Sequence, residues 1–275
     1  MTMPTVPPTP NTLNAPNAPG YVEGHNLLAD KTVAITAAAG TGIGAAAARR
    51  CLEEGARVVI SDHHERRLEE TRAALAEEFG PQEVHALVCD VTREEHVQAL
   101  IDGTADRFGR LDVLINNAGL GGTASVLDMT DEQWLRVLDV TLTGTFRCTR
   151  AALRRMRDQG SGGAIVNNAS VIGWRAQEGQ AHYAAAKAGV MALTRCSALD
   201  AAPYGVRVNA VAPSLAMHPF LAKVTTGDLL AELTAREAFG RAAEPWEVAN
   251  AMVFLASDYA SYLTGEVLSV SSQHA

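Results

Sequence analysis

From Lys31 onward, short apolar runs alternate with longer stretches rich in Ala, Leu, Glu and Arg. The runs are Thr32–Thr36, Arg57–Ser61, Val84–Cys89, Asp112–Asn116, Ala164–Asn168, Val206–Val211 and Val267–Val270. A strand with one wet face would alternate polar and apolar positions. These runs are nearly continuously apolar, so each reads as a strand covered by helices on both faces. Segments such as His64–Phe79 and Glu94–Phe108 read as the intervening helices. Strand–helix alternation of this kind predicts an α/β fold, a doubly wound, Rossmann-like parallel sheet with right-handed crossovers. No repeat or linker divides residues 25–275, which read as one domain.

Residues 1–24 break the pattern, with six prolines in the first twenty positions and no charge before Glu23. Such sequence cannot bury enough apolar surface to offset its ordering entropy, so a disordered tail is expected. It has neither the basic start nor the apolar stretch of a signal peptide. The 275 residues are 47% hydrophobic and 20% charged, a globular composition. A net charge of −8 argues against nucleic acid as the main partner. No apolar run reaches the roughly 18 residues of a membrane span. Cys51, Cys89, Cys148 and Cys196 are widely spaced, as expected for buried thiols in a reducing, cytoplasmic compartment. His63 and His64 have no thiol at ligand spacing, so no metal site is expected.

The first strand runs into ITAAAGTGIGAAAARR, where Gly40, Gly42 and Gly44 (with Ile43 between the last two) fall where strand should turn into helix. Glycines there let the backbone approach a pyrophosphate, whose charge the helix N-terminus favours. A plain packing turn would look similar, but the position after the first strand favours phosphate. About twenty residues on, the second strand ends at Asp62, whose carboxylate can accept bonds from ribose hydroxyls and would repel a 2′-phosphate. Asp62 could instead cap the next helix. NAD(H) is therefore the expected cofactor, with NADP(H) left open by the nearby His63, Arg66 and Arg67.

These motifs, followed by CDV at 89–91, NNAG at 116–119, Ser170, YAAAK at 183–187 and RVNAVAP at 207–213, resemble the short-chain dehydrogenase/reductase family over roughly Leu27–Ser272. The resemblance implies a dinucleotide-binding catalytic domain in which Asp90 and Val91 flank the adenine and Asn117, Ala118 and Gly119 line the cofactor cleft. Tyr183 and Lys187, four apart in an Ala-rich stretch, project from one helix face. A phenol near its usual pKa of about 10 is a poor base at neutral pH. A neighbouring ammonium should favour the phenolate. Ser170 can hydrogen-bond the reacting oxygen of a substrate. Alone, each of these residues reads as an ordinary surface or strand-end side chain. Together they match the family's roles: Tyr183 as acid/base, Lys187 tuning it and holding the nicotinamide ribose, Ser170 orienting the substrate.

Several family positions differ. Thr36 is followed by AAAGTGIG, one residue longer than usual and without the first glycine. Thr141 stands where the family usually has a catalytic Asn; a hydroxyl can join a water chain but lacks an amide's second function. The motif near the nicotinamide is Pro213–Ser214, His218 takes the place of a usual Thr, and Ser271 and Ser272 replace a glycine pair. The substrate is expected to meet the loop 171–182, with Trp174, Gln177 and Gln180, and a lid over about 215–239 that includes His218.

The combination AAAGTGIG, SDHHERRL, NNASVIGWRAQ and EAFGRAAEPWEV further resembles bacterial dehydrogenases of hydroxylated methylindane propanoyl-CoA intermediates from steroid rings C and D. The expected reaction is interconversion of a secondary alcohol and a ketone, possible on such a bulky CoA thioester. A 3-oxoacyl-thioester or general ketone reductase using NADPH is the alternative, and a non-catalytic NAD-binding regulator one of another class. The family also implies a homo-oligomer, commonly a tetramer.

Overall fold

The computed structural model describes residues 20–217 and 227–273. Most of the Pro-rich segment and His218 therefore lie outside the described residues, as do lid positions 218–226.

Seven strands form one parallel sheet in the order β3-β2-β1-β4-β5-β6-β7. They are β1 (Thr32–Ile35), β2 (Arg57–Asp62), β3 (Val84–Val88), β4 (Val113–Asn116), β5 (Gly163–Asn168), β6 (Val206–Pro213) and β7 (Val267–Val270). All seven apolar runs are strands, with ends moved by at most two residues. The helices are α1 (Ile43–Glu53), α2 (Glu65–Phe79), α3 (Glu94–Phe108), α4 (Asp131–Leu138), α5 (Gly144–Gln159), α6 (Ala181–Ala201), α7 (Gly227–Ala235) and α8 (Pro245–Ala256). A π turn over Asp139–Thr143 joins α4 to α5.

The five inner strands are buried on both faces, which is why their sequence is not amphipathic, while the edge strands β3 and β7 are only partly covered. Val33 and Ile35 of β1 join one core with residues of α1, α2 and α8. Ala34, pointing the other way, joins a second core with residues of α3, α5 and α6. The helix boundaries have local causes. Thr130 and Gln133 form a reciprocal capping box at the start of α4. Gly109, at φ 82°, terminates α3 in the left-handed region.

The cysteines depart from expectation at one position. Cys51, Cys89 and Cys148 are buried and all four are free, but Cys196 is exposed on α6. That helix buries a different stripe, including Val190, Thr194 and Ala198, so position 196 faces outward.

Candidate active site

Between β1 and β4 the strand order reverses, and the crevice at their carboxyl ends is where an open α/β sheet offers a ligand site. The glycine loop lies there. Gly42 caps the N-terminus of α1, and a Cβ at Gly40 or Gly42 would meet nothing within 4 Å. A Cβ at Gly44 would lie 2.4 Å from both the Ala37 carbonyl oxygen and Asn117 Nδ2. Two glycines thus leave an open cradle at a helix N-terminus, and the third permits close packing behind it. Ala37, where the family has glycine, adopts φ 52°. This unfavourable conformation is held by Asn117 Nδ2, which donates to the Ala37 carbonyl at 3.0 Å, and by the Ala38 N–H donating to Ser61.

Thr36 ties this loop to the next. Its hydroxyl oxygen accepts from the backbone N–H groups of Asn117 and Ala118, each at 3.0 Å. Asn168 Nδ2 donates to Asn117 Oδ1 at 2.9 Å, while the buried Oδ1 of Asn168 has no protein partner among the described residues. The open cradle and this orphaned acceptor fit a polar dinucleotide lying along the crevice. Asp62 is buried at the end of β2, with Oδ1 accepting from the His64 N–H at 2.9 Å and facing His63 and Arg67. Asp62 does not cap the following helix, whose N-cap is His64 with no side-chain cap bond, and its Oδ2 is left for a ribose. Asp90 Oδ1 accepts from Thr92 N and Oγ1, and Val91 packs against Gly144.

Ser170 follows β5 and is nearly buried; its hydroxyl donates to the Pro213 carbonyl at 3.5 Å. Thirteen residues on, α6 carries Tyr183 and Lys187 on one face, with Lys187 Nζ 5.5 Å from the Tyr183 ring centre. Lys187 donates to the Asn168 carbonyl at 2.5 Å. A Cβ at Gly119 would lie 3.4 Å from Lys187 Nζ, and one at Gly121 would touch the Tyr183 ring. Residues 117–121, Ser170, Tyr183 and Lys187 therefore converge.

Burial dominates the electrostatics of this pair. Burial pushes the Tyr183 phenol up to about 12, opposed only by hydrogen bonding with Ser170. Burial also lowers Lys187 to about 8. Lys187 is turned toward the Asn168 carbonyl, and burial outweighs its charge at the phenol.

Thr141 is fully buried in the π turn. It accepts from Leu120 N–H at 2.9 Å and donates to Leu120 O at 3.1 Å, so its single proton is committed to the loop after β4. Trp174 is half exposed and Gln177 partly buried on the loop between Ser170 and Tyr183. Residues not singled out from sequence also matter. His182 is buried and accepts the Tyr183 N–H through Nδ1 at 2.9 Å, which places its ring proton on Nε2. Thr36, Asn168 and Glu237 are further examples. Only their neighbourhood in the sequence hinted at them.

Geometry and comparison agree on the class. A family model described as Enoyl-(Acyl carrier protein) reductase matches residues 37–272, and the chain belongs to the short-chain dehydrogenase/reductase family. It is an oxidoreductase of the NAD(P)-binding kind acting between secondary alcohols and ketones. It is 67% identical, over 93% of its length and 97% of the relative's, to the (5R,7aS)-5-hydroxy-7a-methyl-1-oxo-2,3,5,6,7,7a-hexahydro-1H-indene-carboxyl-CoA reductase of Mycobacterium tuberculosis. It is 45% identical to the cis-4-hydroxycyclohexanecarboxylate dehydrogenase of Sinomonas cyclohexanicum, covering 86% of this chain and 94% of that protein. A short-chain dehydrogenase structure from Mycobacterium smegmatis superposes with a TM-score of 0.84 at 62% identity, covering 94% of this chain and 99% of that one.

Proposed function

We propose that this chain is an NAD(H)-preferring dehydrogenase/reductase of a bulky cyclic secondary alcohol bearing a carboxyl or propanoyl CoA thioester. The observation that carries the chemistry is the convergence of Ser170, Tyr183 and Lys187 beside the 117–121 loop. The substrate follows from similarity to a hydroxy-methylindene carboxyl-CoA reductase, supported by similarity to a hydroxycyclohexanecarboxylate dehydrogenase. Asp62, buried with one oxygen bonded, supports NAD(H) because a 2′-phosphate would meet its charge. His63 and Arg67 beside it are what would favour NADPH and the thioester-reductase reading.

When bound, the nicotinamide supplies the hydride acceptor or donor. Tyr183 carries a proton at neutral pH, so it can donate to the oxygen of a ketone, leaving a phenolate that takes its next proton from solvent. Oxidation runs the reverse way, the phenol first losing its proton to solvent and the phenolate then taking the hydroxyl proton of the alcohol. Ser170 holds the same oxygen, and Lys187 reaches the ribose side of the crevice. Gly40 and Gly42 would hold the pyrophosphate, with Ile43 beside them and Gly44 packed behind; Asp90 and Val91 would border the adenine, and Asn117, Ala118, Gly119 and Pro213 would line the cleft. Thr141 acts by positioning Leu120. Trp174 and Gln177 are assigned to the substrate side; His218, expected there from the sequence, lies outside the described residues. Homo-oligomerisation is supported by the exposed Tyr262 and Leu268 at β7, the edge strand of the sheet among the described residues; a cytoplasmic location goes with this reading of the enzyme.

Tyr183→Phe tests the core of this reading. Turnover should fall at least a thousandfold while NADH affinity, read by nicotinamide fluorescence, changes less than threefold. Activity within tenfold of the parent would remove Tyr183 from its role.

A further inference from the structure

One polar chain joins three segments that frame the substrate side. Glu237, nearly buried just after α7, accepts on Oε1 from the Leu215 N–H at 3.4 Å and from Gln273 Nε2 at 2.9 Å. Its Oε2 accepts from the Ser272 hydroxyl at 2.8 Å. The other end of the Gln273 amide, Oε1, accepts from the Arg175 guanidinium. The amide can stand only one way round. Its NH₂ must meet the carboxylate and its oxygen the guanidinium, because the reverse would oppose acceptor to acceptor and donor to donor.

The consequence is a cation that is aimed without being neutralised. Arg236 and Arg241, flanking Glu237 in sequence, pair with Glu232 and Glu247 at 2.5 and 2.6 Å. Arg175 has no carboxylate within ion-pair distance among the described residues, and its partner is a neutral amide. It is only partly buried, on the loop leading from Ser170 to Tyr183. The other basic cluster, Arg154, Arg155 and Arg157, lies on α5, with Arg154 and Arg157 in a groove against α6 rather than on this loop.

We propose that Arg175, positioned by Gln273 and Glu237, binds the anionic group at the acyl end of the substrate, a carboxylate or the phosphates of CoA. This rests on the acyl-bearing substrate inferred above. A guanidinium held in place can meet carboxylate or phosphate oxygens with two parallel bonds.

Binding is read by calorimetry, with and without NADH, for 4-hydroxycyclohexanecarboxylate, its CoA thioester, its neutral N-acetylcysteamine thioester and cyclohexanol. Arg175→Gln should weaken an anionic ligand about tenfold, Arg175→Lys by much less, and neutral ligands by less than twofold. Loss for the free carboxylate places the contact at the acyl carbon, and loss for the CoA ester alone places it at the CoA phosphates. Salt should weaken anion binding to the parent protein and leave Arg175→Gln nearly unchanged. Equal loss for neutral and anionic ligands, or no loss for either anion, overturns the proposal. Turnover is followed in parallel. Charge-selective binding without oxidation of any of these alcohols would sink the functional reading and leave Arg175 standing.

Discussion

The two rims of the crevice are built differently. On the cofactor side, backbone groups are pinned by short side chains on rigid elements, as where Thr36 at the end of β1 receives two N–H groups from the loop after β4. On the substrate side, three irregular segments are joined by side chains reaching one another: Arg175 to Gln273, Gln273 to Glu237, Glu237 to Ser272. The first arrangement fixes the shape of the crevice through the backbone. The second can change its chemistry by changing one side chain, without disturbing the sheet. Cofactor geometry and substrate choice are therefore separable, and substitutions on each rim should have separable effects.

The largest effect is expected from Gly44→Ala. Its Cβ would clash with the Ala37 carbonyl and break the Asn117 contact, destabilising the fold by about 3 kcal/mol. NADH affinity should fall more than tenfold, measured by fluorescence titration and thermal melting. If both stay unchanged, the cofactor rim is not rigid.

Lys187→Met sits at the seam of the two rims. The folded protein holds Lys187 near 8, below its ordinary 10.5, so burying the ammonium opposes folding at neutral pH. Between those values the unfolded chain binds more protons, and stability rises with pH. The substitution should abolish turnover yet stabilise the protein at pH 7 by about 1–3 kcal/mol, less the lost bond to Asn168. That advantage should shrink as pH rises from 8 to 10.5. Urea melts across that range would show it; an advantage independent of pH would mean Lys187 is not held near neutrality.

Glu237→Ala should act on the substrate rim alone. It removes the shared acceptor of Leu215, Ser272 and Gln273, so substrate KM should rise several-fold and stability fall by about 1 kcal/mol. NADH affinity should stay within twofold. A parallel loss of NADH binding would show that the rims are coupled.

The smallest effect is a gain. Ala37→Gly relieves a left-handed alanine and should stabilise by up to about 1 kcal/mol, visible as a melting-point rise of a few degrees. No gain would mean the surrounding bonds already remove the strain.

Much of this molecule is legible in one dimension. Parallel strands buried on both faces produce continuous apolar runs, which made the five inner strands recognisable, the edge strands β3 and β7 keeping apolar runs with less cover. A spacing of four on a helix places Tyr183 and Lys187 on one face whatever surrounds them. The family and the glycine cradle follow from the same local regularities. Other features arise only where distant chain segments meet. Burial, not the neighbouring lysine, dominates at Tyr183 because α6 is packed beneath the 117–121 loop. The Thr141 hydroxyl is taken up by Leu120 because a π turn brings it there. Arg175 meets Gln273 across 98 positions. Nothing in the spacing announces such a contact, since side-chain hydrogen bonds between loops carry no periodicity. By itself the sequence determined the sheet, the helices and the candidate catalytic side chains; the tertiary structure alone decided which polar groups are satisfied, which are displaced in pKa, and which guanidinium is left without a carboxylate partner among the described residues.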